Sequence, residues 1–173
     1  MSKYLSSINM KYLTYFKPNR ELSNLILRQD YIIIPGSGLH STICFFYMKP
    51  EREKNLVDDL SPIDFNPFEI ETLSFDHFDN DSLVLRLSCS DELLQLHNRI
   101  VDIVSNYANI TFDTIKRKYF GDNYSLHITI SKSSSKFDVS SKELICRKDK
   151  IAKYFLAKKI DGFWEEMMIK NKG

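Results

Sequence analysis

The sequence predicts an α+β fold built as two similar, pseudo-symmetric lobes of antiparallel sheet plus helices, in one domain spanning residues 1–173. Three observations predict it. Apolar residues recur at period two in several short runs and at helical spacing in a few segments between them. The order of these segments, strand-helix-strand-helix-hairpin and then helix-strand-hairpin, is not the alternation of a parallel βαβ sheet. Finally, one pattern, His-x-Thr followed by an apolar residue, occurs twice and far apart, from His40 to His127 (127 − 40 = 87 residues), as two halves of a duplicated unit would carry it.

Taken in order, MKYLTY at Met10–Tyr15 is a first strand that stops before Lys17-Pro18. Asn19 can cap a helix with Glu21 in its first turn and Leu22, Leu25 and Ile26 as its stripe. Tyr31–Ile34 is an apolar run ended by Pro35-Gly36-Ser37-Gly38. Those glycines are no dinucleotide fingerprint, because the third is missing and a strand follows where a helix should. The first motif strand runs from Leu39 to Met48, and Pro50 opens a short helix with Leu56, Val57 and Leu60 inward. Phe68–Phe75 and Leu83–Cys89 read as a strand pair joined through His77-Phe78-Asp79-Asn80-Asp81. Ser90 caps an amphipathic helix over Asp91–Tyr107. The second motif strand, Tyr124–Lys132, leads into the serine-rich SKSSSKFDVSSK. A hairpin closes the chain: Ile151–Ile160, the Asp161-Gly162 turn, then Phe163–Lys170. Its register sets Lys158 against Glu165 and Leu156 against Met167.

Composition narrows the class. A chain 43% hydrophobic and 13% aromatic is globular, neither disordered nor fibrous. No apolar run approaches the ~20 residues of a membrane helix, and MSKYLSSINMKYL lacks the apolar core of a secretory signal. Cys44, Cys89 and Cys146 are odd in number and have no CxxC spacing, so they read as reduced thiols, the first two as core residues. Together these features point to the cytoplasm. Residues 1–115 hold 10 Lys+Arg against 16 Asp+Glu and residues 116–173 hold 14 against 7, so −6 and +7 sum to the net +1. That balance argues against a general nucleic-acid coat, and the basic second half favours a small anion or a nucleic-acid end.

The duplicated motif carries the chemistry. On a strand, alternate side chains share a face, so His40 lies with Thr42 and His127 with Thr129, while Ile43, Ile128 and Ile130 point the other way. Two imidazoles and two hydroxyls are what phosphodiester chemistry uses: a base, an acid and donors to phosphate oxygens. The bland reading, two half-buried strand histidines bonded to a nearby threonine or carbonyl, suits either motif alone better than it suits the pair. No metal-ligand spacing is present, and none is needed. His77 reads as a solvated turn residue, His97 as a core-edge residue of its helix, and Arg86 could face either a cleft or solvent. Lys116-Arg117-Lys118-Tyr119-Phe120 mixes cations with stackable rings, as an RNA-end site or a packed helix end would.

The two tetrapeptides, their separation, the helix between them and the closing hairpin resemble the two-histidine phosphoesterase superfamily. The similarity is greatest to the RNA 2′,3′-cyclic phosphodiesterases historically named 2′-5′ RNA ligases, and it spans essentially the whole chain. The resemblance implies two lobes facing a central cleft, with His40 and His127 as the catalytic pair and Thr42 and Thr129 as phosphate contacts. It implies an RNA end or a small nucleotide as substrate, no cofactor, no membrane and a monomer. Many members carry a basic residue five positions after the second histidine, where Lys132 stands; with Phe120 it is the expected substrate contact. Strict alternation turns Lys132 away from His127, so a bulge or strand end is required to use it. Leu126 stands where proline is frequent in the family, which bears on the subfamily and leaves the chemistry untouched. Two alternatives remain: the same fold acting on a small cyclic nucleotide or nucleotide-sugar cyclic phosphate, or a nucleotide-binding module without turnover.

Overall fold

The computed structural model describes residues 9–29, 38–78, 82–108, 124–131, 142–167 and 169. Eight strands form one antiparallel sheet: β1 Met10–Phe16, β2 Ser41–Met48, β3 Phe68–His77, β4 Leu83–Leu87, β5 His127–Ser131, β6 Lys148–Ile151, β7 Phe155–Ile160 and β8 Phe163–Met167, in the order β6-β3-β4-β5-β2-β1-β7-β8. Among the described residues three α-helices stand between them, α1 Arg20–Leu27, α2 Glu53–Leu60 and α3 Asp91–Ser105. This is the expected α+β architecture. Each motif strand lies at the centre, with β1, β7 and β8 beyond β2 on one side and β4, β3 and β6 beyond β5 on the other.

Local chemistry explains the helices. The Asn19 side chain accepts the Leu22 amide at 2.8 Å, and Ser90 accepts the Leu93 amide at 3.3 Å, so both caps predicted from the sequence are made. Pro50–Arg52 forms a 3₁₀ turn before α2 begins. The inward stripes Leu22 and Ile26, Leu56 and Leu60, and Leu93, Leu96, Ile100 and Val104 join one core with Tyr12, Phe46, Leu85 and Ile128 of the sheet. All three helices therefore cover the same face of the sheet. The opposite face carries a smaller cluster of Leu13, Tyr15 and Ala157 under Phe45, Phe155 and Trp164. Among the described residues no helix is long and apolar enough to cross a membrane.

Several elements differ from the sequence reading. The closing hairpin has the expected register, Lys158 opposite Glu165 and Leu156 opposite Met167. Its first strand, however, is two. Lys148–Ile151 pairs with β3, and the chain crosses through residues 152–154 before Phe155–Ile160 pairs with β1. The hairpin thus belongs to the half of the sheet that holds the first motif, and its second strand ends at Met167. β3 runs on to His77, which is exposed at the strand end, and β4 stops at Leu87. Cys89 is consequently exposed in the turn before α3, not in the core, while Cys44 is buried. The Tyr31–Ile34 run and the 116–120 and 132–141 segments lie outside the described residues.

His97 is the clearest correction. It sits fully inside the core, where its Nδ1–H donates to the Ile43 carbonyl at 2.8 Å and its ring stacks on Tyr124 at 4.1 Å. A helix histidine that looks peripheral by periodicity is drawn in because β2 offers it a backbone acceptor. Burial pushes its pKa below the ordinary histidine range, against the opposing hydrogen bond. The folded state therefore holds it neutral, whereas the unfolded chain protonates it near pH 6.5. Its stabilisation is intact above that value and is lost as the pH falls from there through the folded-state value. His97→Leu should leave the Ile43 carbonyl unpaired and cost about 1–3 kcal/mol in urea unfolding, flattening that acid loss. Phe163→Ala, at a side chain 72% exposed, should stay within about 0.5 kcal/mol of the parent.

Candidate active site

The two halves of the sheet meet where Ser41 of β2 pairs with Ile128 of β5. In an antiparallel ladder this register sets His40 across from Thr129 and Thr42 across from His127, with the histidines on a diagonal. Diagonal neighbours of an ideal ladder lie about 7–8 Å apart, a separation that a phosphate can bridge. Ser41 and Ile128 are buried in the helix-covered core, so the pleat turns the four motif side chains to the opposite, open face, where all four are partly exposed.

Beyond this pair, β2 and β5 separate, and side chains take over the β2 carbonyls. The Tyr124 hydroxyl donates to the Thr42 carbonyl at 2.8 Å, and His97 serves Ile43. Both motif strands then bulge at the same motif position. The β1–β2 register runs from Tyr15–Thr42 to Thr14–Cys44, leaving Ile43 over, and the β4–β5 register runs from Val84–Thr129 to Leu83–Ser131, leaving Ile130 over. Both isoleucines are buried in the core. The bulge resets the alternation, so Phe45 and Tyr47 return to the face of Thr42. It likewise resets β5 at Ser131, where the described part of the strand ends; Lys132 and Phe120 lie outside the described residues.

The histidines are held alike. His40 Nδ1 lies 3.1 Å from the Gly38 carbonyl and His127 Nδ1 lies 2.8 Å from the Ser125 carbonyl, each two residues upstream. A carbonyl only accepts, so each Nδ1 carries its proton, which makes Nε2 the nitrogen that changes protonation in each ring. Gly38 reaches its position with φ +70°, a conformation that suits glycine.

Their surroundings differ. The Tyr15 ring meets the His40 ring edge-on at 5.4 Å, and its hydroxyl donates to Glu166 Oε1 at 2.7 Å. Beside His127 stands a charged group that periodicity left unassigned. Arg86, opposite His127 in the β4–β5 register, donates to Asp76 Oδ2 from Nε at 3.0 Å and from Nη2 at 2.6 Å, and from Nη1 to the Ser125 hydroxyl. Its guanidinium also lies over the Phe78 ring at 5.1 Å, and Phe78 meets the His127 ring at 4.6 Å. Burial lowers the His127 pKa below the ordinary range; the Ser125 carbonyl opposes this, and the charges of Arg86 and His40 reinforce it. Arg86 in turn holds the Asp76 carboxyl below its usual value. The one sequence signal for this group was a lone arginine between Leu85 and Leu87 in an otherwise apolar strand. Asp76, Phe78, Ser125 and Tyr15 gave none. Among the described residues no cluster of three or more His, Cys, Asp or Glu is placed to hold a metal ion.

The face thus presents two imidazoles in unlike electrostatic surroundings, with two hydroxyls between them: donors for anionic oxygens and a nitrogen at each end able to accept or give a proton. A profile of the 2′-5′ RNA ligase superfamily matches residues 29–153. No curated protein sequence matches significantly. Among solved structures, LigT of Escherichia coli complexed with phosphate superposes with a TM-score of 0.65 at 15% identity, covering 92% of this chain and 95% of that one. The same protein complexed with 3′-AMP gives 0.65 at 13%, over 92% and 94%. TT0787 of Thermus thermophilus gives 0.69 at 13%, over 95% and 100%. These likenesses establish the fold, and the profile, covering well over half of the sequence, establishes the lineage: the chain belongs to the 2′-5′ RNA ligase superfamily of two-histidine phosphoesterases.

Proposed function

We propose that this protein is a metal-independent phosphodiesterase that opens 2′,3′-cyclic phosphate ends of RNA, or cleaves 2′-5′ linked ends, leaving a 2′-phosphate. The observation that carries the reading is the crossing of both His-x-Thr motifs at the β2–β5 pair, with each Nδ1 tied to a carbonyl. The phosphate and 3′-AMP complexes of the similarly folded LigT support it. In this reading His127, kept neutral by burial and by Arg86, takes a proton from water at Nε2 as the water oxygen bonds to phosphorus. The bond from phosphorus to the 3′ oxygen breaks, and His40 delivers its Nε2 proton to that oxygen. Thr42 and Thr129 hold the non-bridging oxygens, whose charge grows in the transition state. The site acts on an RNA end; a cyclic mononucleotide tests the chemistry alone.

His40→Ala or His127→Ala should each remove most of kcat, and the double variant should be little worse, because the two act as a unit. Thr42→Ala and Thr129→Ala should each cost about 1–3 kcal/mol, the scale of a lost hydrogen bond to a charged group. Steady-state hydrolysis of a 2′,3′-cyclic mononucleotide in EDTA measures all of these. A 3′-phosphate product would reverse the proposed orientation, and activity restored only by a divalent ion would overturn the metal-free mechanism.

kcat/KM should be bell-shaped in pH. Activity rises as the base loses its proton, and the His127 pKa lies below the ordinary value, so the acid limb should have its midpoint below about pH 6.5. Arg86→Gln removes a cation that disfavours imidazolium and leaves the Asp76 carboxylate beside it. The acid limb, and the His127 titration followed by NMR, should therefore move to higher pH.

A further inference from the structure

We infer that the aromatic face of β1, β2, β7 and β8 is a binding track for the single-stranded RNA leading to the terminal phosphate, so that an oligonucleotide end and not a mononucleotide is the preferred substrate. The inference rests on the proposed phosphodiesterase reading and specifies its substrate.

The track begins at the site itself. Tyr15, edge-on to His40 and itself buried, supports the partly exposed Phe155 at 5.5 Å and 28°, and on the same face Phe45 meets Trp164 at 6.4 Å. From β2 to β8 there are three inter-strand steps, about 14 Å at ~4.8 Å each, which exceeds the width of one base. Cations stand among the rings: Lys17 Nζ lies 4.7 Å from the Phe155 centroid and Lys159 Nζ 5.8 Å from that of Trp164. Rings for base faces, interleaved with ammonium groups for the backbone, are the composition of single-strand sites. Among the described residues of these strands one carboxylate, Glu166, shares this face, and it is already engaged by Lys17 and the Tyr15 hydroxyl. Among the described residues the open face of the other half carries Ser74, Asp76 and Arg86, with Phe78 between Arg86 and His127. The charge and ring pattern of the first half therefore favours RNA running over it from the histidines.

Trp164 is the chain's single tryptophan, so its fluorescence reports on the track directly. The full-length protein is titrated with 2′-phosphate-ended ribonucleotides, the unreactive product, from a mononucleotide to a tetranucleotide. The expected result is Trp164 quenching and an affinity that rises at least about tenfold from mononucleotide to tetranucleotide, given the usual worth of one stacked base, and that weakens with salt. Trp164→Ala should abolish most of that length dependence. Lys159→Gln, a change outside the core, should weaken tetranucleotide binding and flatten its salt dependence, which keeps the test decisive if the tryptophan variant folds poorly. Equal affinity for mono- and tetranucleotide would overturn the track. So would tight tetranucleotide binding with unchanged fluorescence and wild-type affinity in Lys159→Gln, or quenching that depends only on protein concentration, the mark of a second copy on this face. Hydrolysis of a 2′,3′-cyclic mononucleotide by the wild type is measured separately: its absence would remove the phosphodiesterase reading, whereas the length series alone decides the track.

Discussion

The seam between β2 and β5 is the constraint on which the rest depends. The strands meet at Ser41–Ile128 and then part, and a parting strand exposes backbone carbonyls that must find donors. Tyr124 and His97 supply them, and those two rings stack on each other within the core. Without that substitution the strands would either zip together, closing the face, or leave buried acceptors unpaired. Because α1, α2 and α3 all cover one side, the other side must, among the described residues, be self-sufficient. It meets that demand with Arg86, Asp76 and Ser125 in one half, and with a small aromatic cluster in the other.

That self-sufficiency gives the two motifs different electrostatics despite their shared geometry. The backbone treats His40 and His127 alike, down to the upstream carbonyl on each Nδ1. Only the second has a guanidinium across the ladder, and the first instead has a tyrosine whose hydroxyl is tied to Glu166. In a pseudo-symmetric pair such an inequality biases which member holds the proton and which stays neutral. Here it is supplied by neighbours on β3 and β4, not by the motifs.

Much of the fold was legible because its determinants are local. The Asn19 and Ser90 caps, the Asp161-Gly162 hairpin with its register, and the shared face of each His-x-Thr all follow from periodicity and turn chemistry. What escaped is non-local. The split of 148–160 into β6 and β7 depends on partners in β3 and β1, which no pattern within those residues records. His97 reads as peripheral until the Ile43 carbonyl that draws it inward is known. The neighbours of the candidate site, Asp76 and Phe78 at the end of β3 and Ser125 before β5, come from two distant places in the chain and look ordinary in each. Arg86 was visible as an anomaly and unassignable until β4 was set beside β5.

The bulges explain why the motif has a fourth position at all. In both copies the apolar residue after threonine is left over by the ladder and buried in the core. A bulged residue is a local break in pairing, and burying a large aliphatic side chain there stabilises the break against sliding back into regular register. The slip it resists matters, because moving either strand by one residue would turn its histidine and threonine into the core and expose its isoleucine. The isoleucine is therefore an anchor that fixes which face the histidine and threonine occupy. By resetting the alternation, the same bulge also returns Phe45 to that face, so a single backbone irregularity joins the candidate site to the aromatic surface beside it.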